Sequence, residues 1–168
     1  MEALANRKPT RLKGYDYSTP GAYFVTVCTK DKRCVLGKIV GDGDFDVPKM
    51  NLSKYGIIIE KYLNFMNEKY NHMKIDSYVI MPNHIHLILN ISDFAGGASE
   101  TAAPYNNEIS KFISLFKRYC NIECGENLFQ RSFHDHIIRG EKDYLKIREY
   151  IDTNVLKWKT DCFYNGTD

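Results

Sequence analysis

The sequence predicts an α+β fold, one mainly antiparallel sheet with helices on one face, and three observations carry that expectation. Short runs rich in aromatic and β-branched residues alternate with longer stretches whose apolar residues recur every three or four positions. Their order is strand, strand, helix, strand, strand, helix, strand, helix, which is not the strict alternation of a parallel βα fold. With 168 residues, 43% of them hydrophobic and 26% charged, the chain is expected to form one water-soluble domain over 1–168.

Residues 22–29 read AYFVTVCT, a strand by composition, and 34–40 follow after four polar residues, so the two are expected to pair as a hairpin. Asp42, Asp44 and Asp46 have the spacing that opens a calcium loop. Val47 stands where such a loop needs glycine and Ser53 where it needs glutamate, so a turn is expected instead. From Asn51 or Ser53 onward, Leu52, Tyr55, Gly56, Ile59, Leu63 and Met66 mark the core-facing stripe of a helix ending near Tyr70. Residues 74–80 and 84–91 form a second strand pair around Met81-Pro82-Asn83, where proline stops one strand and asparagine suits the turn. The small polar residues 92–107 read as a flexible surface loop. Ile109, Phe112, Ile113, Phe116 and Cys120 line a second helix, residues 133–138 are a last short strand, and 143–158 a last helix capped by Asp143.

Charge and cysteines exclude more than they assign. The longest apolar stretches are far short of the roughly 20 residues a spanning helix needs, so no membrane partner is expected. The N-terminus has basic residues but no apolar run behind them, which reads as no secretory signal and hence a cytoplasmic location. Five scattered cysteines are expected to be free thiols. The net charge is only +2, but residues 1–33 carry seven basic residues against three acidic ones, and 1–20 read as a basic arm able to touch phosphates.

His84 and His86 fall within one strand at i and i+2, so both imidazoles project from the same face, opposite Ile85 and Leu87. That is metal-ligand geometry on what is expected to be the open, helix-free side of the sheet. A third protein group is needed. Tyr150 and Asn154 stand four apart on the terminal helix, so phenol and amide share a face and one could be a ligand, the other a nucleophile. Periodicity alone equally allows Leu145, Ile147, Ile151 and Val155 to be the packing face, with Tyr150 merely at its edge.

The run MPNHIHLIL (81–89), followed by YIDTN (150–154), resembles the single-tyrosine HUH transposases. RLKGYDYSTPGAYFVTVCT (11–29), LFQRSFHDHIIRGEKDY (128–144) and YIDTNVLKW (150–158) are similar to segments of the REP-associated tyrosine transposase group. The likeness spans nearly the whole chain and departs at Val155, where the group usually has proline. It implies a ferredoxin-like or RRM-like domain that nicks and rejoins single-stranded or hairpin DNA as a homodimer. It further implies His84, His86 and Asn154 as ligands of Mg²⁺ or Mn²⁺, and Tyr150 as the nucleophile of a 5′-phosphotyrosine intermediate. For strand contacts the candidates are Arg7, Lys8, Arg11, Lys13, Lys117, Arg118, Arg131 and Arg139, with Tyr15 and Tyr17 as stacking platforms. Three alternatives stand beside this reading: an RRM-like module that binds single strands without cutting them, a zinc site built from Cys120, Cys124, His134 and His136, and a hydrolase using His84 and His86 on a small phosphoester, for which the histidine-triad pattern would need a third histidine where Ile88 stands.

Overall fold

The structure is a computed structural model, and it describes residues 19–41, 46–92 and 108–166. Nine elements follow in order: β1 (Gly21–Cys28), β2 (Gly37–Val40), β3 (Lys49–Leu52), α1 (Lys54–Lys69), β4 (Met73–Met81), β5 (His84–Ile91), α2 (Glu108–Cys124), β6 (His134–Ile137) and α3 (Glu141–Thr153). Four strands form an antiparallel sheet in the order β4-β5-β1-β6. The chain crosses over through α1 from β1 to β4 and through α2 from β5 to β6, the split βαβ pattern of ferredoxin-like folds.

Alternation along the strands decides which residues face the helices. Ile85, Leu87, Leu89 and Ile91 of β5, with Tyr23, Val25 and Val27 opposite them on β1, share one core with Ile59, Leu63 and Met66 of α1 and Ile109, Phe112, Ile113 and Phe116 of α2. Each such side chain contributes roughly 1.5–3 kcal/mol by leaving water. The other face of the same strands carries His84, His86 and Ile88, paired with Cys28, Thr26 and Phe24. It is covered too, by α3 and the segment after it, which is why β5 is buried along nearly its whole length.

Helix α1 starts at Ser53, whose hydroxyl accepts from the backbone N–H of Tyr55 and Gly56 at 3.1 and 3.3 Å. A Cβ at Gly56 would lie 2.2 Å from the Leu36 carbonyl oxygen, so only glycine lets the helix pass this close. Helix α3 begins after Gly140, at a φ of +83°, two residues before Asp143. Asp143 caps it from inside, accepting from the Arg139 N–H and the His136 ring, both at 2.9 Å. On its other flank, the Tyr144 hydroxyl donates to Asp76, which sits at the β-bulge between Ile75 and Ser77, and Arg148 lies 3.8 Å from the same carboxylate.

Several expectations are corrected. The strand at Gly37–Val40 pairs with β3, in a separate two-stranded sheet, and not with β1. β3 occupies residues assigned from sequence to the turn and the helix start, because Met50 and Leu52 pack on the core as a strand would. α3 ends at Thr153, and Trp158–Thr160 is a separate 3-10 turn. Of the packing face expected on the last helix, Ile151 is buried as expected and Leu145 is exposed. Asp42, Asp44 and nearly all of the 92–107 loop lie outside the described residues.

Between β1 and β2 the chain makes a tight turn in which Asp31 and Lys32 both adopt left-handed backbone angles, φ +57° and +54°. The Lys32 carbonyl thereby faces the sheet end, where it accepts from Asn83 Nδ2 at 3.3 Å and Asn165 Nδ2 at 3.0 Å.

Candidate active site

β5 places the two imidazoles side by side, as its period requires, with their Nε2 atoms 2.9 Å apart. The expectation of solvent-facing histidines fails, since His84 is 0% and His86 1% exposed. Phe163 lies 4.5 Å from the His84 ring, Trp158 6.1 Å from it, and Phe24 stacks on His86 at 5.0 Å, so aromatic rings close the site. Burial pushes the two imidazoles down to about 4 for His84 and about 3 for His86. Both are neutral at physiological pH, so each imidazole keeps one bare nitrogen.

Helix α3 brings Tyr150 onto this pair, its Oη 3.3 Å from His86 Nε2. The phenol donates at 2.9 Å to Asp161 Oδ2, and Asn154 Nδ2 donates to the same oxygen, also at 2.9 Å. The backbone N–H of Phe163 donates to Asp161 Oδ1 at 2.7 Å. Burial by itself would raise the Asp161 carboxyl, but these three hydrogen bonds outweigh it and hold it below the usual carboxylate range. Burial, and then the Asp161 carboxylate, push Tyr150 well above the usual phenol range, so it rests protonated.

Asp161 is the residue that sequence reasoning missed. Ligand atoms of His84, His86 and Asp161 lie within 4.8 Å of one another, a group that could hold a metal ion. Asp161 follows α3 in an irregular stretch of mixed polar and aromatic residues with no periodicity, so nothing in its spacing ties it to the histidines. Asn154, expected as the third ligand, sits behind Asp161, and its Oδ1 is buried with no hydrogen-bond partner. An amide oxygen in that state is unusual. Two imidazole nitrogens and one carboxylate form a donor set that could hold a divalent cation. Cys28 and Cys162 lie near Asp161, but burial raises both thiols, so neither offers a thiolate.

The other candidates scatter. Arg7, Lys8, Arg11, Lys13, Tyr15 and Tyr17 lie outside the described residues. Lys117, a candidate for DNA contact, donates to the carbonyls of Gln130, Arg131 and Ser132 at 2.8–3.4 Å. Arg118 is exposed on α2, across the sheet from the histidines, and Arg131 and Arg139 are exposed on either side of β6. The zinc alternative fails on geometry: Cys120 belongs to the helix-side core, whereas His134 and His136 pair with Thr26 and Phe24 and so share the opposite face.

No protein-family model matches the chain. An uncharacterized protein of Haemophilus influenzae is 32% identical over 176 aligned residues, covering 96% of this chain and 94% of that one. A second Haemophilus influenzae protein, provisionally named a REP-associated tyrosine transposase, is 22% identical over 84% of this chain and 74% of its own length. Among solved structures, a REP-associated tyrosine transposase bound to a REP hairpin superposes with a TM-score of 0.59 at 20% identity, over 92% of this chain and 74% of that one. The chain therefore belongs to one family with the uncharacterized Haemophilus protein, and the fold it has is that of the group its motifs resemble, the REP-associated tyrosine transposases.

Proposed function

We propose that the protein is a transposase-like enzyme that binds single-stranded or hairpin DNA and cuts and rejoins one strand through Tyr150. The observation that carries the reading is the convergence of Tyr150 Oη, the two histidine Nε2 atoms and the Asp161 carboxylate within a few ångströms. The binding partner comes from the hairpin-bound structural neighbour.

A free phenol is only about 0.1% ionised at pH 7, and Tyr150 is held further toward the protonated form, so attack needs a proton acceptor. Asp161 Oδ2 already takes that hydrogen bond. As Tyr150 Oη bonds to phosphorus, the phenol proton passes to Asp161, the bond from phosphorus to the 3′-oxygen breaks, and that oxygen leaves, taking a proton from solvent to become a 3′-hydroxyl. The product is a 5′-phosphotyrosine. In the return step a 3′-hydroxyl attacks the same phosphorus and gives its proton to solvent, while the phosphorus–Tyr150 bond breaks and Tyr150 recovers its proton from Asp161, so no external energy source is needed. A divalent cation held by His84, His86 and an oxygen from Asp161 or Asn154 would polarise the phosphate and stabilise the departing oxygen. Asn154 keeps Asp161 turned toward Tyr150, and Phe24 holds the His86 ring from the side.

Strands of hairpin DNA carrying a label on either side of the cut test this directly. Wild-type protein with Mn²⁺ should form an adduct that survives denaturation and retains the label 3′ of the break, and Tyr150→Phe should form none. An adduct with Tyr150→Phe would move the nucleophile elsewhere. Binding without any adduct from wild type would leave a binding module.

A further inference from the structure

Proton positions at the two histidines follow from counting donors around them, and the count leads to Thr26. Asn83 Nδ2 donates to two carbonyls, Phe163 at 2.9 Å and Lys32 at 3.3 Å, which fixes the amide with Oδ1 toward His84 Nδ1 at 2.8 Å. An amide oxygen only accepts, so His84 carries its proton on Nδ1 and turns a bare Nε2 lone pair into the site. His86 Nε2 lies 2.9 Å from that lone pair. Two bare lone pairs at this distance repel, so without a cation His86 carries its proton on Nε2 and donates it to His84. The Tyr150 oxygen, whose own proton goes to Asp161, is a second acceptor for it at 3.3 Å. His86 Nδ1 is then an acceptor, and the hydroxyl that meets it, Thr26 Oγ1 at 2.8 Å, must be the donor.

We propose that Thr26 is a positioning residue that lets His86 exchange tautomers, donating its hydroxyl proton to Nδ1 when the site is empty and accepting from Nδ1–H when both Nε2 lone pairs face one ion. The inference rests on the metal reading above. A hydroxyl is suited to this because it both donates and accepts by rotating about one bond, whereas the Asn83 amide opposite it is locked. No proton is gained or lost by the pair: one leaves His86 Nε2 and one arrives at His86 Nδ1, carried by solvent exchange. The two histidines thus have unequal tasks. His84 is prepared for an ion at all times, and His86 becomes a ligand only by exchanging tautomers against Thr26. The sequence holds the asymmetry in plain view, since an asparagine precedes one histidine and a β1 threonine stands in register with the other.

Nitrogen NMR on uniformly labelled protein reads each imidazole nitrogen as protonated or bare. Metal-free wild type should show His84 protonated on Nδ1 and His86 on Nε2, and saturating Mg²⁺ should move the His86 proton to Nδ1 while leaving His84 unchanged. Thr26→Val keeps the shape and removes the hydroxyl, so half-saturating Mn²⁺ should rise about tenfold or more, as for other partners behind a metal ligand, with Thr26→Ser restoring it. His86 protonated on Nδ1 in the metal-free wild type, or equal Mn²⁺ affinity in Thr26→Val and wild type, overturns the proposal. Should wild type bind neither ion, the metal reading falls and this inference with it. Should it bind them without a tautomer change, this inference alone falls.

Discussion

Replacing Asp161 by asparagine removes one charge and little volume, which makes it the most informative single change at the site. The carboxylate accepts three hydrogen bonds, from Tyr150, Asn154 and the Phe163 N–H. An amide has one oxygen, so if it keeps the bond to Phe163 its NH₂ must face the Asn154 NH₂ and the phenol. Hydrogen bonds to a charged group contribute about 1.5–3 kcal/mol in protein interiors, and because Asp161 is only half-buried we take about 2 kcal/mol in all. That loosens the segment after α3 by roughly 5–30-fold. The proton acceptor is lost as well, a further factor of about 10²–10⁴ in rate. Adduct formation at saturating Mn²⁺, followed by denaturing electrophoresis, should therefore slow at least about 100-fold. The sign in pH is fixed: a carboxyl held below its unfolded value of 3.8 adds stability above that pH and loses it as acid passes through the folded value. The melting temperatures of variant and wild type should differ at neutral pH and converge below pH 3.8. Adduct rates within about threefold of each other would show that Asp161 neither takes the proton nor holds the site.

Removing the orphaned amide oxygen with Asn154→Ala should raise half-saturating Mn²⁺ about tenfold, and Asn154→Asp should restore binding or tighten it; identical titrations would take Asn154 out of the ion's surroundings. Lys117→Met should destabilise the protein by about 1–3 kcal/mol in denaturant titration, because three carbonyls lose their donor, while the salt dependence of DNA binding stays unchanged. A flatter salt slope would return Lys117 to the phosphate contacts. Because burial lowers both histidines from 6.5, the folded state binds fewer protons than the unfolded one between that value and about 4, so metal-free stability should fall as pH drops through this window. A melting temperature flat from pH 6.5 to 4 would contradict the buried, neutral pair.

What the sequence makes legible is whatever has a period. β5 and its histidines, the stripe of α1, and α2 all follow from alternation or three-and-four spacing, and the structure agrees with each. β3 is lost because four residues beside a turn carry too little pattern to compete with the helix that follows. The exposure of the histidines is misjudged because α3 crosses the second sheet face, and its few buried side chains leave that docking almost unwritten in its hydropathy. Asp161 is invisible for a related reason. It acts through hydrogen bonds from Tyr150 and Asn154, and such bonds leave no trace in spacing. The i, i+4 pairing of Tyr150 with Asn154 does bring both onto one carboxylate oxygen, that of Asp161 beside the histidines.

The left-handed pair at Asp31 and Lys32 bears on which sequences this fold can accept. Each non-glycine residue in that conformation costs about 1–2 kcal/mol, and relaxing either would swing the Lys32 carbonyl away from Asn83 and so release the amide that orients His84. Position 32 should therefore admit glycine or asparagine at no loss of geometry, reject valine and isoleucine for their branched Cβ, and reject proline because its N–H donates to the Thr29 carbonyl at 3.2 Å. In a saturation library selected for ion binding, a turn that touches no ligand would be as intolerant of branched residues as the histidines are of replacement.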